Sequence, residues 1–174
     1  VLLTISLTEL LASSPDARRQ HAETLRQRLD DLREDLGIAF PVYLLINKCD
    51  LLSGFDEYFA SLDRTGREQV WGFTLPWDAG TQAQAYPQDT VRDELGLLAS
   101  RIQAGLVDLL QAEPELARRN LIHSFPQQFA LLCETLREIG ALLFVDSRFS
   151  SAPMLRGMYF TSATQEGTPL DRVI

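Results

Sequence analysis

The apolar run Val42-Tyr43-Leu44-Leu45-Ile46, which delivers Asn47-Lys48-Cys49-Asp50 at its end, constrains this chain more than any other stretch. A short apolar segment of this kind reads as a buried strand, and Asn-Lys-x-Asp at its carboxyl end reads as a guanine-reading loop. In that reading the Asp50 carboxylate accepts hydrogen bonds from N1–H and the 2-amino group of guanine. Adenine offers neither donor there and would leave a buried carboxylate unpaired. Asn47 would face the O6/N7 edge or tie neighbouring loops together, and the aliphatic stem of Lys48 would cover the purine face. The same residues also fit a polar strand-to-helix turn, with Asp50 or Ser53 capping a helix that begins near Phe55.

With 174 residues the chain can bury a core as one domain or one and a half. A net charge of −8 argues against a nucleic-acid-binding surface, which needs a basic stripe. The longest wholly apolar runs, Ala141 to Val145 among them, are five residues and far too short to span a bilayer. Cys49 and Cys133 have no CxxC spacing and read as unpaired thiols of a reducing compartment. His21 and His123 are isolated, so no metal site is expected, and no catalytic constellation is visible.

Val1 to Leu7 opens apolar with no cap, turn or initiator methionine before it and reads as a strand of a longer protein. Ser13-Ser14-Pro15-Asp16 predicts a helix start, Gly37 its end, and Leu25, Leu29, Leu32 and Leu36 its apolar stripe. Strand, helix and strand make a βαβ unit with parallel strands, and ligands on such sheets bind at the strands' carboxyl ends. A short helix is expected within Leu51 to Leu62, with Phe55, Tyr58, Phe59 and Leu62 facing inward. Val70 to Leu75 reads as a short strand or an extended packing segment, and Trp71, Phe73 and Trp77 as core fillers. From Pro87 onward two stripes, Val91 to Leu109 and Phe129 to Leu143, predict helices. Pro114 and Pro126 are expected to separate the pieces, with Ser124 capping the last restart. Asp93-Glu94-Leu95-Gly96 matches a DxxG switch motif by letter but lies in a helical pattern and is set aside. Arg156 to Thr161 reads as a third buried strand, followed by the loop Ser162-Ala163-Thr164-Gln165-Glu166-Gly167.

The pattern resembles the carboxyl-terminal half of P-loop GTPases, in which a Ser-Ala loop follows the strand after NKxD and its backbone N–H contacts guanine O6. Ser162-Ala163 stands in that place, and read as residues alone it is equally a Ser/Thr-rich turn. No GxxxxGK[ST] occurs in the chain, so the phosphate cradle is missing from it. The expected fold is therefore α/β: a partial, parallel GTPase-like sheet with a helical insertion. Residues 1–65 carry the βαβ unit and the NKCD loop, 66–152 a linker and the insertion, and 153–174 the returning strand and loop. The insertion follows from about a hundred residues lying between two strands, far beyond ordinary connection lengths.

Four segments also resemble the IcmF/TssM family, the large inner-membrane component of type VI secretion systems. They are Val1 to Leu7, Pro41 to Phe55, Val70 to Pro76 and Leu155 to Arg172, the last being the most specific. The resemblance implies a GTPase-like domain at the cytoplasmic face of the bacterial inner membrane, in a membrane-anchored parent protein with a structural or assembly role in secretion. It implies other membrane-complex and baseplate components as partners, a TssL/DotU-like protein among them, besides the remainder of the parent chain. It also implies GTP or ATP with magnesium in the parent protein, with no cofactor held by this segment alone, and an NTPase activity that the parent alone would carry. The base-binding residues expected from the GTPase-like pattern are Asn47, Lys48, Asp50, Ser162 and Ala163.

Overall fold

The computed structural model describes residues 1–67, 69–76, 87–145 and 152–162, with only the backbone at Arg64 and Arg67. β1 (Leu2–Ser6) runs directly into a short helix α1 (Leu7–Ala12), so Leu7 opens a helix instead of ending the strand. The long helix α2 (Pro15–Leu36) begins as the sequence predicts: the Ser14 hydroxyl accepts from Ala17 N–H, Pro15 occupies the first turn, and Gly37 closes the helix in the left-handed region at φ 65°. β2 (Pro41–Asn47) follows, then a single 3₁₀ turn (Cys49–Leu51) and the short helices α3 (Phe55–Phe59) and α4 (Arg64–Arg67). β3 (Trp71–Thr74), α5 (Gln88–Ala112), α6 (Leu116–Leu143) and β4 (Met154–Phe160) complete the described elements.

The four strands form one sheet in the order β1-β2-β4-β3. β1, β2 and β4 are parallel to one another, while β3 pairs antiparallel with β4. The sheet is therefore mixed, a correction to the all-parallel expectation. The exception is β3: the four residues Trp71–Thr74 join the outer edge of β4 antiparallel, more than eighty residues before it in the chain.

Strand alternation decides where the core lies. Val42, Leu44 and Ile46 are fully buried, whereas Tyr43 and Leu45 on the opposite face of β2 are only half-buried. Leu2, in register with Tyr43, is 69% exposed, and β1 has a strand on one side only among the described residues. An apolar edge without charge or proline is a pairing surface.

The helices cover the other face through an aromatic cluster. Trp71 stacks on Phe129 with ring centroids 5.0 Å apart, and both meet Phe160 at 4.8 and 5.3 Å. Phe125 lies 6.0, 4.9 and 5.5 Å from Phe55, Tyr58 and Phe59. Trp71 and Phe73 are packing residues as expected; Trp77 lies outside the described residues.

The two predicted stripes are buried, Val91, Leu95, Leu98, Ile102 and Leu106 on α5 and Phe129, Leu132, Leu136, Ile139 and Leu143 on α6. Four local expectations fail, the first on α2, where Leu36 of the predicted stripe is 52% exposed. α6 runs unbroken through Pro126, because its buried face continues on both sides and outweighs the roughly 3 kcal/mol that an internal proline costs. Ser124 consequently caps nothing; its hydroxyl donates to Leu121 O within the helix at 3.0 Å. Leu62 lies beyond the end of α3 and is 38% exposed, so it is not an inward residue.

Both cysteines are buried free thiols, and burial pushes each up to about 12. The unfolded chain releases those protons near pH 8.5. The folded state thus binds more protons above that value, and stability present at neutral pH should fall progressively as pH climbs toward 12. Melting temperatures between pH 7 and pH 10 should decline, and a thiol reagent at neutral pH should label neither cysteine until the protein is unfolded. Rapid labelling of the native protein would contradict this.

Candidate functional site

The candidate loop is built at the carboxyl ends of β2 and β4, which lie side by side. Thr161 N–H donates to Ile46 O at 2.8 Å, and Cys49 N–H donates to Thr161 O at 3.1 Å. These bonds carry the pairing of the two strands past their ends and hold the loop after Asn47 against the one beginning at Ser162. Cys49 adds a third tie, its buried thiol donating to Ile46 O at 3.4 Å. Sequence reasoning passed over Cys49 as the free letter of Asn-Lys-x-Asp. Its signal was present nonetheless: Cys49 is the lone apolar residue of that motif, and it is fully buried.

Lys48 takes a left-handed backbone, φ 60° and ψ 37°, the one positive φ outside glycine among the described residues. Left-handed geometry costs a side-chain-bearing residue about 1 kcal/mol or more, which glycine would avoid. Lys48→Gly should therefore raise thermal stability by up to about 1 kcal/mol while removing whatever the ammonium and its stem contribute to ligand binding. A loss of stability on that substitution, read from urea unfolding, would show that the lysine side chain is held there by packing.

Asn47 Oδ1 and Asp50 Oδ1 are both buried and accept no hydrogen bond among the described residues. An unsatisfied buried acceptor costs about 1–3 kcal/mol. Nor does Asp50 serve as a cap. The N-cap positions of the 3₁₀ turn and of α3 are Lys48 and Gly54, and neither helix start has a side-chain cap. The local electrostatics are acidic: burial raises the Asp56 carboxyl above its ordinary range, and the charges of Glu57 and Asp50 add to the rise.

Beyond the motif the chain is tightly held. Leu52 and Ser53 are buried, and Gly54 stands at φ 82° against α6, where a Cβ would collide with Leu121 O. That contact is invisible in sequence, because Gly54 follows Ser53 as any turn glycine would.

Of the predicted residues, Asn47, Lys48 and Asp50 share one turn, and Ser162 sits exposed one residue past the Thr161 tie. Ala163 lies outside the described residues. Among those described, no group of three His, Cys, Asp or Glu side chains could hold a metal ion, and no helix is long and apolar enough to cross a membrane.

The whole chain, residues 1–174, matches the family model of the IcmF-related N-terminal domain. It is 45% identical over 172 residues to the type VI secretion system component TssM1 of Pseudomonas aeruginosa, covering 99% of this chain and 16% of that relative. The chain thus spans about a sixth of the length of the relative it matches. No solved structure matches it. The family match over the full chain, joined by 45% identity over 172 residues to TssM1, places the chain in the family of IcmF-related N-terminal domains.

Proposed function

We propose that this chain is the base-binding half of a GTPase-like domain, with an assembly role in a type VI secretion membrane complex and guanine nucleotide as its regulator. The observation that carries the reading is the pair of buried, unpartnered acceptors, Asn47 Oδ1 and Asp50 Oδ1, at the carboxyl end of β2. A carboxylate in that position that neither caps a helix nor pairs with a described residue suits a ligand with two adjacent N–H donors, and the N1–H and 2-amino edge of guanine supplies them. The parallel order of β1, β2 and β4 supports it, since ligands of such sheets sit at the strands' carboxyl ends. Ser162, with Ala163 after it, would approach O6 from the adjacent loop.

The open β1 edge fits the same reading, as the place where the rest of such a domain would join the sheet. Magnesium and the phosphates would be held there and not by these residues, which offer no phosphate loop. Partners drawn from the secretion membrane complex and baseplate, including a TssL/DotU-like protein, and a place at the cytoplasmic face of the inner membrane, belong to this proposal. They rest on the kinship with a type VI secretion component.

Phosphoryl transfer depends almost wholly on positioning and charge at the phosphates. The 174-residue chain alone should accordingly show no nucleotide hydrolysis, and turnover that mutations of this chain abolish would overturn that. Binding is the sharper test. A fluorescent GDP analogue should bind the full-length protein and be displaced by GTP at far lower concentration than by ATP. Equal displacement by both would sink guanine as the base.

A further inference from the structure

Pro126 and Tyr58 mark one level of the α5–α6 hairpin. Pro126 has no N–H to give Ile122 O, so α6 lacks one rung there. At the same level Tyr58 touches both helices: its ring lies 4.9 Å from that of Phe125, and its hydroxyl donates to Ile102 O on α5. Gly105, one turn on, leaves the room this needs, since a Cβ there would stand 2.9 Å from the Tyr58 oxygen.

The two sides of this level are held differently. Past Pro126, α6 is fixed to the sheet through Phe129 on Trp71 and Phe160, and Arg26 of α2 donates to Leu143 O at 3.1 Å. Before it, the hairpin extends as an arm, residues 106–119 running out along α5 and back along α6 for roughly 10 Å. The tip is internally locked by Arg118 on Glu113 at 3.0 Å and Arg119 on Leu110 O at 2.9 Å, and it exposes Val107 (59%) and Leu116 (71%). α3 packs against this level, and it is the direct continuation of the candidate loop: Phe55 N–H donates to Leu52 O and Tyr58 N–H to Gly54 O.

We infer that α3 is a mechanical link, with Tyr58 as a positioning residue, that passes the state of the Asn47–Asp50 loop to the arm formed by residues 106–119. The loop carries two buried acceptors with no partner among the described residues, and a ligand that pairs with them steadies the loop, then Gly54 against Leu121, then the arm. The ligand-driven part rests on the base-binding reading above, whereas the link itself does not.

Hydrogen–deuterium exchange on the full-length protein tests both. Without nucleotide, Tyr58→Phe removes one buried hydrogen bond and should speed exchange about fivefold both in residues 47–54 and in 106–119. Faster exchange in only one of those segments, or in neither, overturns the link. Added GDP should slow exchange in both segments of the wild type, and in Tyr58→Phe should slow the loop but leave the arm fast. Protection of the loop alone in the wild type also overturns the link. A Tyr58→Phe response in both segments with no effect of GDP on either leaves the link standing and overturns only the base-binding reading and its transmission.

Discussion

Asp50→Asn in the full-length protein should weaken guanine nucleotide binding roughly 100-fold or more and improve binding of the xanthine nucleotide. The exchange replaces one carboxylate acceptor by an amide donor. That donor opposes the 2-amino group of guanine but matches the 2-carbonyl of xanthine, while the remaining oxygen still accepts from N1–H. The size of the effect comes from burial: Asp50 Oδ1 is out of contact with solvent, so a mismatched donor there finds no water to satisfy it. Folding should change little, because Asp50 caps neither the 3₁₀ turn nor α3. Affinities for GDP, ADP and XDP measured beside melting temperatures separate the outcomes. Unaltered affinities with a lowered melting point would make Asp50 a structural residue.

The second large effect concerns stability. Phe129→Ala should cost about 3–5 kcal/mol, the range for deleting a fully buried aromatic side chain. Phe129 is fully buried and is where α6 meets the sheet, against Trp71 of β3 and Phe160 of β4. Removing it leaves a cavity between layers that cannot collapse easily, because β3 is fixed to β4 by its antiparallel pairing and α6 to α2 by the Arg26 bond to Leu143 O. Chemical unfolding should show a lowered midpoint. A loss below about 1 kcal/mol would mean that the helices fold against one another and merely rest on the sheet.

Much of this architecture is legible in the sequence because it follows local rules. The α2 boundaries are written in Ser14, Pro15 and Gly37, and the buried stripes of α5 and α6 in their 3.6-residue spacing. What escaped were outcomes decided by tertiary packing. Pro126 reads as a break, yet the helix continues because its neighbours on both sides are buried. Trp71–Thr74 does not announce its antiparallel direction, which depends on a partner more than eighty residues away.

The site divides in the same way. Asn47, Lys48 and Asp50 are readable as a motif, and the turn that gathers them follows from the strand before it. The tie through Thr161, the left-handed Lys48 and the approach of Gly54 to Leu121 are contacts between distant segments or backbone states that no letter encodes. What the letters also hid is that Asn47 Oδ1 and Asp50 Oδ1 lack partners among the described residues, the observation on which the proposed ligand reading rests.

The most direct test of that distinction is a structure of the full-length protein determined with GDP. The account predicts the guanine edge on Asp50, with N1–H and the 2-amino group within hydrogen-bond distance of its carboxylate, and Asn47 Oδ1 paired with a donor. It would be contradicted by Asp50 Oδ1 bonded to a protein donor with no base beside it, for the acceptors at the centre of this reading would then be spoken for by the fold itself.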